Sequence, residues 1–192
     1  MTPEPSLWQR SRTAAYAEIT AIAMRLFLEQ GFEQTTIDQI AAAAGISRRS
    51  FFRYFGTKED IVLGDLASEG ERAREALESV PLSVGPWEAI RQILGTIHAL
   101  DAEPGTTLKI ARMMYETPSL RARSIEKHLS WQSLLVPNIR LRIAGDSSMA
   151  AGAIVATAIA CLDVAGEAWV RSNGQDDLAE LYDQAVRAVR AG

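Results

Sequence analysis

Between residues 35 and 60 the chain reads TTIDQIAAAAGISRRSFFRYFGTKED, two short helical patterns separated by one glycine-centred break. No other stretch limits the fold as tightly. Thr36 stands just before the first apolar residue, Ile37, and Gln39 follows three places on. At that spacing a hydroxyl and an amide satisfy each other's orphan backbone N–H groups as a capping box. Ala41 to Ala44 are small enough to let a second backbone approach, and Gly45 can take the left-handed conformation that closes a helix. Ser47 can then cap the next helix. With only Ile46 between glycine and cap, the two helices must cross sharply over a small shared core, which is the geometry of a helix-turn-helix.

At about 100° per residue, Arg48, Arg49, Phe52 and Arg53 fall within an arc of about 140°, and Phe51, Tyr54 and Phe55 share the other side. One side packs and the other is free to read. Residues 45–58 hold Arg48, Arg49, Arg53 and Lys58 and no carboxylate, a pattern suited to phosphates and guanine edges. Gly56 should stop this helix and Thr57 should cap the next, whose first residues are Lys58, Glu59 and Asp60. A lysine at a helix N-terminus is out of place unless a phosphate binds there. The candidate DNA contacts are therefore Thr36, Ser47, Arg48, Arg49, Ser50, Phe52, Arg53, Tyr54 and Lys58. An ordinary helical hairpin with a solvated basic face is the alternative.

A chain of 192 residues has room for such a module and a larger helical body. The net charge of −4 looks wrong for a DNA binder until it is divided. Residues 1–60 hold seven basic and seven acidic side chains and the remainder thirteen and seventeen, so the whole deficit lies outside the module. Cys161 is the only cysteine and there are two histidines, so neither a disulfide nor a zinc cluster is expected, and no metal or other cofactor. No uninterrupted apolar run of eighteen residues and no charged-then-apolar leader is present, so a cytoplasmic protein without a membrane span is expected.

In chain order, residues 1–12, with two prolines and no period, read as an irregular arm in which Arg10 and Arg12 could reach DNA. Tyr16, Ile19, Ala23, Leu26 and Phe27 mark a first helix closed by Gly31. Residues 13–57 form the DNA-binding domain. A connecting helix from about Thr57 to Glu78 leads into the body, 58–192, and the segment VPLSVGP interrupts it. Helices are expected over 87–102, 106–116, 119–144, 147–171 and 177–191, with Gly105, Pro118, Gly145 and Gly174 just outside them and Pro137 kinking the third. With no alternating Val- and Ile-rich run, the fold class is all-α, about nine helices.

Residues 12–62 resemble the DNA-binding domain of the tetracycline-repressor (TetR) type of transcriptional regulators. The resemblance rests on Ile19, Ala23 and Phe27, on Gly31-Phe32, on TTIDQIAAAAGIS, on FFRYF and on Lys58 to Ile61. It departs at Phe52, where the family commonly has tyrosine, so a phenolic hydrogen bond to the DNA backbone is lost and an apolar contact remains. The resemblance implies a homodimer on a palindromic double-stranded operator and a body that binds a hydrophobic small-molecule effector. MMYETPSLRAR and AWVRSNGQDDLAELYDQA are similar to a subgroup with acyl-coenzyme-A-like ligands, in which Arg121 or Arg123 would meet a phosphate.

For the effector, Trp87, Ile90, Leu94, Leu108, Arg112, Met113, Tyr115, Trp131, Leu135 and Ile139 lie on helices expected to surround a common centre, where methionine and aromatics make an adaptable pocket. The same residues also suit a plain core. His98, Arg112 and His128 are the polar candidates. For pairing, Ile154, Ala158, Cys161, Leu162, Ala165 and Trp169 line one side of the alanine-rich helix, with Leu178, Leu181 and Tyr182 on the last. A helical enzyme is the rival class, but Cys161 sits in an apolar helix with no histidine at a useful spacing. A DNA-binding protein without a ligand would not need so large an apolar body.

Overall fold

Helix caps and prolines decide where the elements of this chain begin. The computed structural model describes residues 6–64, 66–97, 104–145 and 147–191, in which ten helices and no strand occur. Two units divide the chain, residues 1–64 and 65–192.

In the first unit, α1 (Leu7–Gln30) buries Ile19, Ala23 and Phe27, one helical stripe, with Phe27 4.9 Å from the ring of Phe32, and Ile40, Phe51 and Phe55 are buried as well. Tyr16 stacks on Phe55 at 4.5 Å. Because α1 begins at Leu7, the expected irregular arm is helical from that residue, with Arg10 N–H donating to the Ser6 carbonyl. Residues 1–5 lie outside the described residues. Gly31, at φ 92°, turns the chain, and the buried Thr35 hydroxyl donates to its carbonyl at 2.8 Å. Helices α2 (Ile37–Ala43) and α3 (Arg48–Tyr54) follow, then the short α4 (Glu59–Leu63), which packs on α1. Residues 58–64 thus belong with the first unit, and the boundary falls seven residues beyond the expected one.

The connecting helix expected over 57–78 is two helices, which accounts for ten elements instead of nine. Gly64 ends α4 at φ 70°, ψ −170°, a backbone conformation essentially restricted to glycine, and α5 (Leu66–Ser79) starts afresh.

In the second unit α6 (Pro86–Ile97), α7 (Pro104–Glu116) and α8 (Pro118–Arg140) each open on a proline, whose missing N–H is no loss in the first turn. Gly105, expected outside a helix, lies inside α7 because Pro104 starts that helix. Pro137 lies within α8. Ser147 caps α9 (Ser148–Arg171) and Asp177 accepts from Glu180 N–H at the start of α10 (Leu178–Ala191). Ala73, Leu77, Ile90, Ile93, Trp131, Leu135, Ile139 and Val155 form the main core. Gly70 lets α5 lie against α8, since a Cβ there would come within 2.7 Å of Leu134 and 2.9 Å of Trp131.

α9 has the length and apolar composition of a bilayer-spanning helix, a property the sequence reading did not assign to it. Its apolar character has a local cause: α9 packs against α6, α7, α8 and α10.

One arginine organises the α5–α6 turn. Arg142 donates to the carbonyls of Leu77, Val80, Pro81 and Val84 and, through Nε, to Asn138. Leu77 lies in the last turn of α5, and the other three carbonyls belong to the turn that follows, so the guanidinium supplies donors where the helical ladder has ended. Desolvation pushes its pKa below the usual guanidinium value.

Candidate nucleic-acid interface and effector cavity

The caps that define the helix-turn-helix form as the residues dictate. Gln39 N–H donates to Thr36 Oγ1 at 3.2 Å and Thr36 N–H to Gln39 Oε1 at 2.8 Å. Ser50 N–H donates to Ser47 Oγ at 3.1 Å. Gly45 is left-handed at φ 64°. Thr57 and Asp60 close a second reciprocal cap at the start of α4. The hydroxyls of Thr36 and Ser47 are thus engaged in capping, and the Ser50 hydroxyl accepts from that of Ser47 at 3.0 Å.

α3 divides as its arcs require. Phe51 is 0% exposed and Phe55 3%, while Phe52 is 47% exposed beside exposed Arg48, Arg49 and Arg53. Two cations of this surface are held by neighbours. Arg48 Nη1 reaches both carboxylate oxygens of Asp38 on α2, at 3.0 and 3.1 Å, and its guanidinium lies 5.8 Å from the Phe52 ring. Arg53 lies 5.6 Å from the ring of Tyr54. Arg49 has no partner among the described residues.

Lys58 differs from the expectation of a phosphate contact. Its ammonium donates to the carbonyls of Phe32, at 3.0 Å, and Thr35, at 3.4 Å, and lies 4.3 Å from the Phe32 ring centre. It clamps the α1–α2 turn, giving the Thr35 carbonyl a donor and the Phe32 carbonyl a second one beside Thr35 N–H. Beside α3, Trp8, Ser11, Arg12, Arg53 and Tyr54 line a groove of about 290 Å³.

In the second unit the expected common pocket is filled. Ile90, Trp131, Leu135 and Ile139 are at most 4% exposed and pack with Leu77, Ile93 and Val155, side chains of α5 and α9 that occupy the centre. Leu108 and Met113 are half-buried, and Arg112 donates to Asn173 Oδ1 at 2.6 Å. The Leu94 side chain and all of His98 lie outside the described residues. Of the pocket candidates, Tyr115 does line a cavity of about 90 Å³, with Met114, Arg121, Ser124, Ile125 and Asp163. Tyr115 O–H donates to the Asp163 carbonyl at 3.3 Å, and burial pushes its pKa up to about 12. A Cβ at Gly166 would collide with that hydroxyl. Arg121 lies 5.9 Å from the Tyr115 ring and 3.5 Å from Glu167, and His128 Nδ1 is 3.2 Å from Asp163 Oδ2. Sequence reasoning passed over Asp163, although Asp163 and Glu167, the two carboxylates of an otherwise apolar helix, are a usable signal.

The pairing candidates also lie elsewhere than expected. Cys161, Leu162, Ala165 and Tyr182 are buried inside the protomer, where α10 covers α9, and Ala158 is buried in the main core; Ile154, Trp169, Leu178 and Leu181 are half-buried. Burial pushes the Cys161 thiol up, away from nucleophilic use. Among the described residues no group of three His, Cys, Asp or Glu side chains is placed to hold a metal ion.

Residues 19–64 match the family model of bacterial regulatory proteins, tetR family, and residues 84–192 match the MftR C-terminal domain. The chain belongs to the TetR family. It is similar over 192 residues, at 29% identity, to a Mycobacterium tuberculosis protein named as a mycofactocin biosynthesis transcriptional regulator, MftR, covering 99% of this chain and 96% of that one. The regulator TcmR of Streptomyces glaucescens is 31% identical over 72% of this chain and 64% of its own. Among solved structures, the TetR-family repressor FadR of Thermus thermophilus in complex with lauroyl-CoA superposes with a TM-score of 0.56 at 26% identity, covering 90% of this chain and 91% of that chain. NalD of Pseudomonas aeruginosa, a secondary repressor of a multidrug efflux pump, shares the fold with a TM-score of 0.60 at 19% identity, over 95% of this chain and 97% of its own. This TetR-family chain is therefore a DNA-binding transcriptional regulator and not an enzyme.

Proposed function

We propose that this regulator is a homodimeric repressor that holds a palindromic operator through α3 and releases it when an acyl-chain effector enters the body. The single observation that carries the DNA assignment is the exposed Arg49, Phe52 and Arg53 surface held rigidly by buried Phe51 and Phe55. Arg49 reads a base edge, Phe52 contacts a thymine methyl, and the groove of Trp8, Ser11, Arg12 and Arg53 seats a backbone phosphate.

The effector assignment is supported by the cavity at Tyr115 and by similarity to a FadR solved with lauroyl-CoA. Met114 and Ile125 give it apolar walls, and the Asp163, Tyr115 and Arg121 polar groups fix the orientation of a ligand's polar end. The cavity is too small for a whole acyl chain, so the chain must part α7 from α8 and α9 as it enters, and that displacement gives the ligand its leverage on the fold.

Dimerisation uses the outward side of α9, where Ala153, Ala160 and Val164 are exposed at helical spacing, together with exposed Ala188 on α10. Small residues let two such helix pairs approach closely. A mobility-shift assay with operator DNA and lauroyl-CoA tests the whole reading. Sequence-specific retention that is lost on adding the acyl-CoA, and kept on adding coenzyme A alone, is expected; retention unaffected by the acyl-CoA contradicts the effector.

A further inference from the structure

On the flank of α10 that faces α6, Asp183, Val186, Arg187 and Arg190 recur at i, i+3, i+4 and i+7, so they share one helical stripe. Ala188, the exposed α10 residue assigned to pairing, lies on the other flank, and the two functions do not compete for surface. Between α6 and this stripe lies a groove of about 190 Å³.

Its walls are chemically divided. Trp87 and Val186 supply an apolar side. Arg91, Arg187 and Arg190 supply the other, against Glu88 and Asp183, so the groove is locally positive in a chain of net charge −4. Arg91 is pre-oriented: its Nε donates to both Asp183 oxygens, at 2.8 and 3.0 Å, and its terminal nitrogens have no hydrogen-bond partner among the described residues. Arg187 and Arg190, one turn apart, have no partner there either. A favourable helix dipole accounts for a cation in the last turn of α10 but not for three arginines gathered round a tryptophan. A second observation points the same way. The hydroxyl of Tyr182, a groove residue only 1% exposed, is buried with no hydrogen-bond partner among the described residues, and burial first, then Cys161 and Asp183, push its pKa up. An orphaned hydroxyl beside a cationic cleft lacks an acceptor.

We propose that the α6–α10 groove is a second ligand site, separate from the acyl effector cavity, for a small aromatic carboxylate. The aromatic ring lies against Trp87 and Val186, and the carboxylate is gripped by Arg187 and Arg190 in the fork geometry guanidinium groups favour. The volume suits a bicyclic acid and excludes a nucleotide, since sites for drug-sized ligands start at about 300 Å³. A bound acid bridges α6 and α10 and braces α10 against the body.

Calorimetric titration of the full-length protein with 1-naphthoate, and with neutral 1-naphthamide, tests this. One site per protomer is expected, with the amide at least about tenfold weaker, because charged hydrogen bonds carry the grip. Arg187→Gln with Arg190→Gln should lose at least about tenfold in naphthoate affinity, and Arg121→Ala, in the effector cavity, should change nothing. Both arginines are exposed, so the variant keeps its thermal midpoint; Arg91→Gln is a second variant with the same expected loss. No saturable binding, equal affinity for acid and amide, or a loss caused by Arg121→Ala in place of the arginine pair overturns the proposal. Failure of operator release by acyl-CoA leaves this titration unaffected.

Discussion

Arg48 on α3 and Asp38 on α2, ten residues apart, are joined by a forked ion pair at 3.0 and 3.1 Å across the helix-turn-helix. Both side chains are more than half exposed, so the pair adds little to stability, but it occupies a guanidinium on the face that meets DNA. Arg48 must leave Asp38 or share it before it reads a base. Arg49 is under no such restraint.

The two arginines should therefore separate on mutation. Arg49→Ala is expected to cost about 1–3 kcal/mol in operator binding and to relax preference at one position. Arg48→Ala should cost less, and Asp38→Asn should strengthen binding to all sequences and steepen its salt dependence, since one more cation is released to phosphate. Fluorescence anisotropy over a series of salt concentrations measures all three. Equal losses for Arg48→Ala and Arg49→Ala would show that the ion pair does not restrain Arg48.

Lys58→Met should act on folding before it acts on DNA. Two carbonyls lose a charged donor, and hydrogen bonds of that kind contribute about 1.5–3 kcal/mol, so denaturant unfolding should show a loss at the lower end of that range for a half-buried group. An unchanged unfolding midpoint with a shallower salt dependence of DNA binding would instead return Lys58 to the phosphate role.

Gly64→Ala tests the joint between α4 and α5. At φ 70°, ψ −170° a Cβ is strained by about 1–3 kcal/mol, so stability should fall or the local backbone should shift. A shift there changes how the reading module is carried, and operator affinity should change with it while effector affinity in the absence of DNA stays the same. If Gly64→Ala matched the parent in both unfolding and DNA binding, the joint would have no role.

The interface prediction separates two kinds of residue on α9. Ala158→Asp places a charge inside the protomer and should cost several kcal/mol and unfold the body instead of merely dissociating a dimer. Val164→Lys, at a position 57% exposed in the protomer, should leave the fold intact and give monomers. Circular dichroism with sedimentation distinguishes the outcomes. Folded monomers from Ala158→Asp, or an intact dimer from Val164→Lys, contradict the assignment.

Local rules in the sequence carried most of the fold. Thr36 with Gln39, and Ser47, place the starts of α2 and α3 to the residue, because capping depends only on neighbours in the chain. The packed and exposed sides of α3 follow from the 3.6-residue period alone. What escaped depended on approach in space. Nothing at helical spacing links Arg48 to Asp38 or Lys58 to Phe32; the crossing of helices creates both pairs. Apolar periodicity marks a buried side without saying which element covers it, so Trp131 and Leu135 suit a pocket as well as a core, and Ala158 and Leu162 an interior as well as an interface. The break at Gly64 hid in the helical run of residues on either side of it.

The most direct test of ligand-driven release is a pair of titrations, lauroyl-CoA into the free regulator and into its complex with operator DNA. Linkage requires operator to weaken the acyl-CoA by the factor by which the acyl-CoA weakens operator, and a hundredfold factor corresponds to about 2.7 kcal/mol of coupling. Ligand-driven release predicts weaker acyl-CoA binding to the complex by that same factor. Equal affinities in the two titrations would contradict it.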